Sequence, residues 1–172
     1  MGRSLIDQIG GSMKIDLITE NFDNPILYNP ALKENGHNVL KIITGYTDCE
    51  RISTHMINLA DGIETNRYVK DLSIDILVGM SKSSISLKKH NEICRLIKYL
   101  SGTRYMPKIS CRYINQGTEV HSKVYIWGKP SRSQEIWYDL AYIGSLNYTM
   151  NGSIYYARMI RLFSRRMLKI LI

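Results

Sequence analysis

Between Val39 and Thr44 the chain is a short apolar run rich in β-branched residues and closed by Gly45, a pattern that predicts a buried strand. Asp48 then stands where a helix cap is expected. Ile52, Met56 and Leu59 recur at helical spacing, predicting a helix through Ala60 with Gly62 as its stop. Ile74 to Met80 reads as the next strand. Ser83 or Ser84 offers a cap for a second helix to Leu100, whose Ile93, Leu96, Ile97 and Leu100 share one face and which Gly102 closes. Three more strands are predicted over Lys108–Ile114, Val120–Trp127 and Trp137–Gly144. The last two are joined by the basic, turn-rich loop Gly128-Lys129-Pro130-Ser131-Arg132-Ser133. Strands that alternate with helices and then gather late imply an α/β domain with a mixed central sheet flanked by helices.

Composition narrows the picture. A chain of 172 residues with 44% apolar content is sized for one domain with a substantial core and is not a disordered polymer. Lysine and arginine outnumber aspartate and glutamate by 23 to 15, so the formal charge of +8 favours a polyanionic partner through counterion release. Charge alone does not separate DNA from RNA or acidic lipid. Cys49, Cys94 and Cys111 are odd in number and widely spaced, which argues against a disulfide framework or a zinc site and fits a reducing cytoplasm. No stretch approaches the roughly twenty apolar residues of a bilayer span, so no membrane insertion is expected. Residues 1–12 read as a leader: Gly10-Gly11-Ser12 before Met13 is either a loop or an engineered scar. The catalytic domain is then expected over 13–153, followed by a basic, apolar tail over 154–172.

The candidate chemistry lies in two short segments, His121-Ser122-Lys123 and Gly144-Ser145-Leu146-Asn147, each inside strand-like sequence. In an extended strand residues i and i+2 point the same way, so His121 shares a face with Lys123, and Ser145 with Asn147. An imidazole beside a fixed cation, a hydroxyl and a carboxamide suits a phosphodiester, whose transition state is mainly spread negative charge. That set needs no metal. Each residue also has a plainer reading: a structural histidine, a solvated lysine, ordinary turn chemistry after a glycine. Tyr148 either lines a groove or belongs to the core, as do Tyr125 and Trp127. Lys129 and Arg132 are either backbone-phosphate contacts or solvated charge. The run Lys88-Lys89-His90-Asn91 hints at a His-Asn nuclease motif but lacks a second histidine and sits in a good helix. No glutamate is followed by the x-Lys pair of the common divalent-metal nucleases.

These segments, HSK followed by GSLN, resemble the HKD motif of the phospholipase D superfamily. The stretches Val120 to Trp127 and Tyr142 to Thr149 are similar more narrowly to the branch of metal-independent type II restriction endonucleases. Ile42-Ile43-Thr44-Gly45-Tyr46 and Asp75 to Met80 fit that branch too. The superfamily aspartate that follows the lysine is here Gly128, and the restriction branch dispenses with it, which favours this branch over the lipases. The branch also places a glutamate after the motif asparagine, where this chain reads Ala157-Arg158-Met159.

The resemblance implies an α/β/α sandwich and cleavage of double-stranded DNA through a phosphohistidine on His121, without a cofactor. One chain carries one motif, and the resemblance implies that two copies meet across a twofold axis to share a site. A homodimer then supplies the second imidazole, while Lys123 and Asn147 hold the phosphate oxygens and Ser145 assists. Two other readings stand beside it: a catalytically weak fold kept for nucleic-acid binding or dimerisation, and a lipid phosphodiesterase, which Gly128 disfavours.

Overall fold

The structure, a computed structural model, describes residues 14–18, 24–80, 85–114, 118–131, 133, 135–145, 147–150 and 157–161. Seven strands make one mixed sheet: β1 (Lys14–Ile18), β2 (Val39–Thr44), β3 (Ser73–Val78), β4 (Lys108–Tyr113), β5 (Val124–Pro130), β6 (Ile136–Gly144) and β7 (Ala157–Arg161). Their order across the sheet is β1-β7-β6-β5-β2-β3-β4. β2, β3 and β4 run parallel, and the remaining pairs are antiparallel. Helices α1 (Cys49–Glu64) and α2 (Leu87–Ser101) make the crossovers between the parallel strands, as parallel neighbours require. The α/β class with a mixed sheet is the one the sequence predicts.

Strict alternation does the work in β2 and β3. Leu40, Ile42, Ile74, Ile76 and Val78 face one side and pack with Ile52, Met56 and Leu59 of α1 and Ile93 and Leu100 of α2 in a single core. Both described helices therefore cover the same face. The other face carries a smaller cluster of Val124, Ile126 and Ala141, with Ile43, Tyr138 and Ile143 packed against it. There the Lys41 ammonium lies 4.8 Å from the centre of the Tyr138 ring. Among the described residues no helix joins that cluster.

Several boundaries differ from the predicted ones for identifiable reasons. Asp48 caps α1 as expected, accepting from Arg51 N at 2.7 Å, but the helix runs through Gly62 to Glu64. The left-handed residue that reverses the chain is Asn66 (φ 63°), a side chain that tolerates this conformation. Gly62 instead serves close packing, since a Cβ there would lie 2.0 Å from the Tyr68 ring. α2 is capped by Ser86, which accepts from Lys89 N at 3.2 Å; Ser83 and Ser84 fall outside the described residues. β5 begins at Val124 rather than Val120, because Val120 N donates to Gly79 O and holds 118–123 beside the end of β3. Ala157–Arg161, placed by the sequence in the tail, forms β7 between β6 and β1, which carries the sheet past residue 153. Residues 1–12 lie outside the described residues.

An irregular segment from Asn24 to Ala31, a π-helical turn followed by a 3-10 turn, packs into the same core through Ile26, Leu27 and Ala31. Its carbonyls are met by side chains. Tyr142 Oη donates to Pro25 O, Trp127 Nε1 to Ile26 O, His55 Nε2 to Leu27 O and His37 Nδ1 to Pro30 O, at 2.6, 2.7, 3.2 and 3.2 Å. Among the described residues no helix is long and apolar enough to cross a membrane.

Candidate active site at the end of the central strands

β2 ends at Thr44, and Gly45 follows without a side chain. Two of the predicted residues converge on that gap: a Cβ built on Gly45 would lie 2.6 Å from His121 Cδ2 and 3.2 Å from Asn147 Oδ1. His121 is exposed, its imidazole close to Gly45 and the Tyr46 ring edge-on to it at 5.7 Å. The two short motifs, separated in sequence, therefore meet at one point at the carboxyl ends of β2 and β3.

Asn147 is fixed by the strand end it faces. The Tyr46 N–H donates to Asn147 Oδ1 at 3.3 Å, and since a peptide N–H only donates, the atom facing it is the carboxamide oxygen. The amide nitrogen is thus the end turned to other partners. Next along the chain, Tyr148 N donates to Thr44 Oγ1 at 2.9 Å, and Thr44 Oγ1 donates to Tyr46 O at 2.8 Å. Asp48 ties the same loop to α1, accepting from Met150 N at 3.1 Å through the oxygen that does not cap the helix. Thr44, Gly45, Tyr46 and Asp48 thus build the site although none was a predicted site residue. The only sequence signal for Thr44, Gly45 and Tyr46 is the similarity of the ITGY segment, and Asp48 is read from sequence as a helix cap alone.

Lys123 is buried, and its ammonium donates to the His121 carbonyl at 2.8 Å. That bond fixes the backbone of the residue carrying the imidazole. Burial pulls the Lys123 pKa below the usual lysine value, by desolvating the charged form. The shared face expected of His121 and Lys123 is only partly realised, since both precede β5 and one is exposed while the other is buried. Ser145 is exposed just past the end of β6, two positions before Asn147.

Tyr148 corrects the expectation that it contacts substrate. It is fully buried, and its hydroxyl donates to His55 Nδ1 at 2.7 Å while His55 Nε2 donates to Leu27 O, so the ring is a core strut. Burial pushes its phenol pKa far up. Lys129 lies away from this site. Its ammonium sits 2.9 Å from Asp139 Oδ2, at the end of β2–β5 pairing remote from Gly45. Six residues of β2 separate the two ends, about 20 Å of strand. Arg132 lies outside the described residues.

His37, Asp139 and Lys129 form a second polar group there, bordering a cleft of ≈ 500 Å³. His37 Nε2 is 2.7 Å from Asp139 Oδ1. Burial pushes the Asp139 carboxyl up, but hydrogen bonds and charge from His37 and Lys129 outweigh it and hold the group below its ordinary value.

Comparison with known proteins gives the fold and the family. The chain is similar in fold to "NucT from Helicobacter pylori", at 13% identity and a TM-score of 0.51 over 93% of this chain and 92% of that one. It is also similar to "Crystal Structure of Polyphosphate Kinase from Porphyromonas Gingivalis", at 15% identity and a TM-score of 0.53, covering 99% of this chain but 27% of that one. At these identities the likeness shows the fold. No curated protein matches the chain. The family described as "NgoFVII restriction endonuclease N-terminal PLD domain" matches residues 20–166, which span β2 to β7 and both motifs. The chain therefore belongs to the NgoFVII family of restriction endonuclease N-terminal PLD domains, a nuclease branch of the phospholipase D superfamily.

Proposed function

We propose that this domain cleaves double-stranded DNA by metal-independent phosphodiester hydrolysis, with His121 attacking phosphorus to form a phosphohistidine. The observation that carries the reading is the convergence of the exposed His121 imidazole and the Asn147 carboxamide on the bare backbone of Gly45. A nucleophile needs to be accessible and oriented, and this one is exposed at the solvent side of a rigid strand end. The Asn147 amide nitrogen supplies a neutral donor for a non-bridging oxygen. The Lys123 ammonium, anchored on the His121 carbonyl, supplies positive charge beside the nucleophile's backbone. No carboxylate belongs to this set.

Attack on one side of phosphorus requires an acid on the other to protonate the departing oxygen. One chain offers one such imidazole, so the second comes from a twofold-related copy in a homodimer. Water activated by that second imidazole then cleaves the P–N bond and regenerates His121. The test is a mixing experiment. His121→Ala costs about three orders of magnitude or more in rate, the scale of losing a covalent nucleophile. In heterodimers of unaltered and His121→Ala chains, activity falls well below the fraction of unaltered chains. Activity proportional to that fraction would refute a shared site.

A further inference from the structure

Charge is very unevenly spread along this chain. Ile85 to Ile114 holds seven lysines and arginines against the single acid Glu92, which gives one helix, one turn and one strand a net +6. The α2 periodicity sorts these side chains. Ile93, Leu96, Ile97 and Leu100 turn toward the core, while Lys88, Arg95 and Lys98 lie exposed on the opposite side together with Tyr99, which is 74% exposed. Beyond the helix, Arg104 stacks on the Tyr105 ring at 4.6 Å, and Tyr105 is held at φ 64°, a conformation costly for an aromatic residue. The Arg104–Tyr105 stack is exposed just beyond the end of α2.

A merely solvated helix face ordinarily mixes signs, so that i,i+4 pairs neutralise it. This one does not. A row of exposed cations interleaved with exposed tyrosines is the composition suited to a nucleic-acid backbone, with charge for phosphates and rings for sugars or bases. Its placement matters as well. β2 and β3 are paired from Val39–Ser73 to Thr44–Val78, so their carboxyl ends coincide at Gly45 and Gly79, and a Cβ on Gly79 would strike Val120, one residue before His121. α2 sets out from that end and returns to the opposite end, where β4 starts. The row therefore runs about 20 Å away from the catalytic end, at about 1.5 Å per helical residue.

We propose that the exposed face of α2 with the Arg104–Tyr105 turn is a docking track for the phosphate backbone of duplex DNA, separate from the catalytic residues and leading from them. This rests on the DNA-cleaving reading above, and two measurements keep the two apart. The first uses the His121→Ala protein, so that no cleavage interferes, and a labelled random-sequence duplex titrated across a salt series. Adding Arg95→Gln, Lys98→Gln and Arg104→Gln lowers affinity at least tenfold at low salt. It also flattens the log–log salt slope by as much as about three, at about 0.9 per lost phosphate contact. The second reads lysine acetylation by mass spectrometry in the otherwise unaltered sequence: duplex DNA protects Lys88 and Lys98 but not Lys41 on the far sheet face. It needs no charge-removal variant to fold.

Unchanged affinity in the triple variant, or Lys88 and Lys98 equally reactive with and without DNA, overturns the track. Hydrolysis of bis(p-nitrophenyl) phosphate by the unaltered protein tests the catalytic reading alone. Protection at Lys88 and Lys98 without any such hydrolysis keeps the track and removes the catalysis; hydrolysis without protection does the reverse.

Discussion

Gly45→Ala isolates the geometric claim on which the candidate site stands. The backbone at Gly45 has no left-handed requirement, so alanine fits the local conformation and gains slightly from a less flexible unfolded chain, about 0.4–1 kcal/mol. The added methyl, however, arrives 2.6 Å from His121 Cδ2 and 3.3 Å from His121 Nε2. Restoring a carbon contact of about 3.6 Å moves the ring by about 1 Å. Because His121 is exposed, it moves outward at little cost to folding, yet a displacement of this size at a nucleophile lowers the rate about a hundredfold. The expected result is a melting temperature unchanged or slightly raised with a steep loss of turnover on duplex DNA. Gly62→Ala is the matched contrast, since its methyl meets the buried Tyr68 ring at 2.0 Å, far from His121. Overpacking there costs about 1–3 kcal/mol and lowers the melting temperature by roughly 5 °C, without changing turnover per folded molecule. A Gly45→Ala protein cleaving within threefold of the parent rate would mean that the imidazole position is not set by this contact.

Cleavage persists in excess chelator; loss with EDTA and recovery with magnesium would contradict a nucleophile that needs no metal. Tyr148→Phe strips the donor from His55 Nδ1 in a fully buried setting and destabilises the fold by about 1–3 kcal/mol, while DNA affinity at a fixed salt stays the same. A Tyr148→Phe protein of parent stability but weakened DNA binding would restore the substrate role. Asp139, held below its ordinary 3.8, contributes stability above that value which is lost as pH falls through its lower folded pKa. Asp139→Asn therefore flattens the melting temperature against pH below about pH 4, where the parent declines.

What the sequence makes legible is governed by range. β2, β3, α1 and α2 are local patterns with their own caps and alternation, and they appear close to where the periodicity puts them. His121 and Asn147 are legible because their neighbours are unusual in combination. β7 is not, because Ala157-Arg158-Met159-Ile160-Arg161 has no strict alternation of its own and acquires its identity from pairing with β6 and with β1, far away in the chain. The start of β5 fails for a similar reason, since Val120 is claimed by Gly79 of another strand. Aromatic residues beside a motif carry no mark of whether they turn in or out. Burial places Tyr148 in the core.

The segment from Asn24 to Ala31 has a consequence for the order of assembly. Its carbonyls find their donors on Trp127, Tyr142, His55 and His37, and the first two lie 101 and 117 residues away in the sequence. Two of those donors reach it only once β5 and β6 have docked on β2. That makes it a late-forming clasp, with loop-closure entropy met at the last step rather than the first. Loosening of the β5–β6 hairpin strips the Trp127 and Tyr142 donors from the segment, so hydrogen exchange over Ile26 and Leu27 becomes a gauge of whether the hairpin is closed on the sheet.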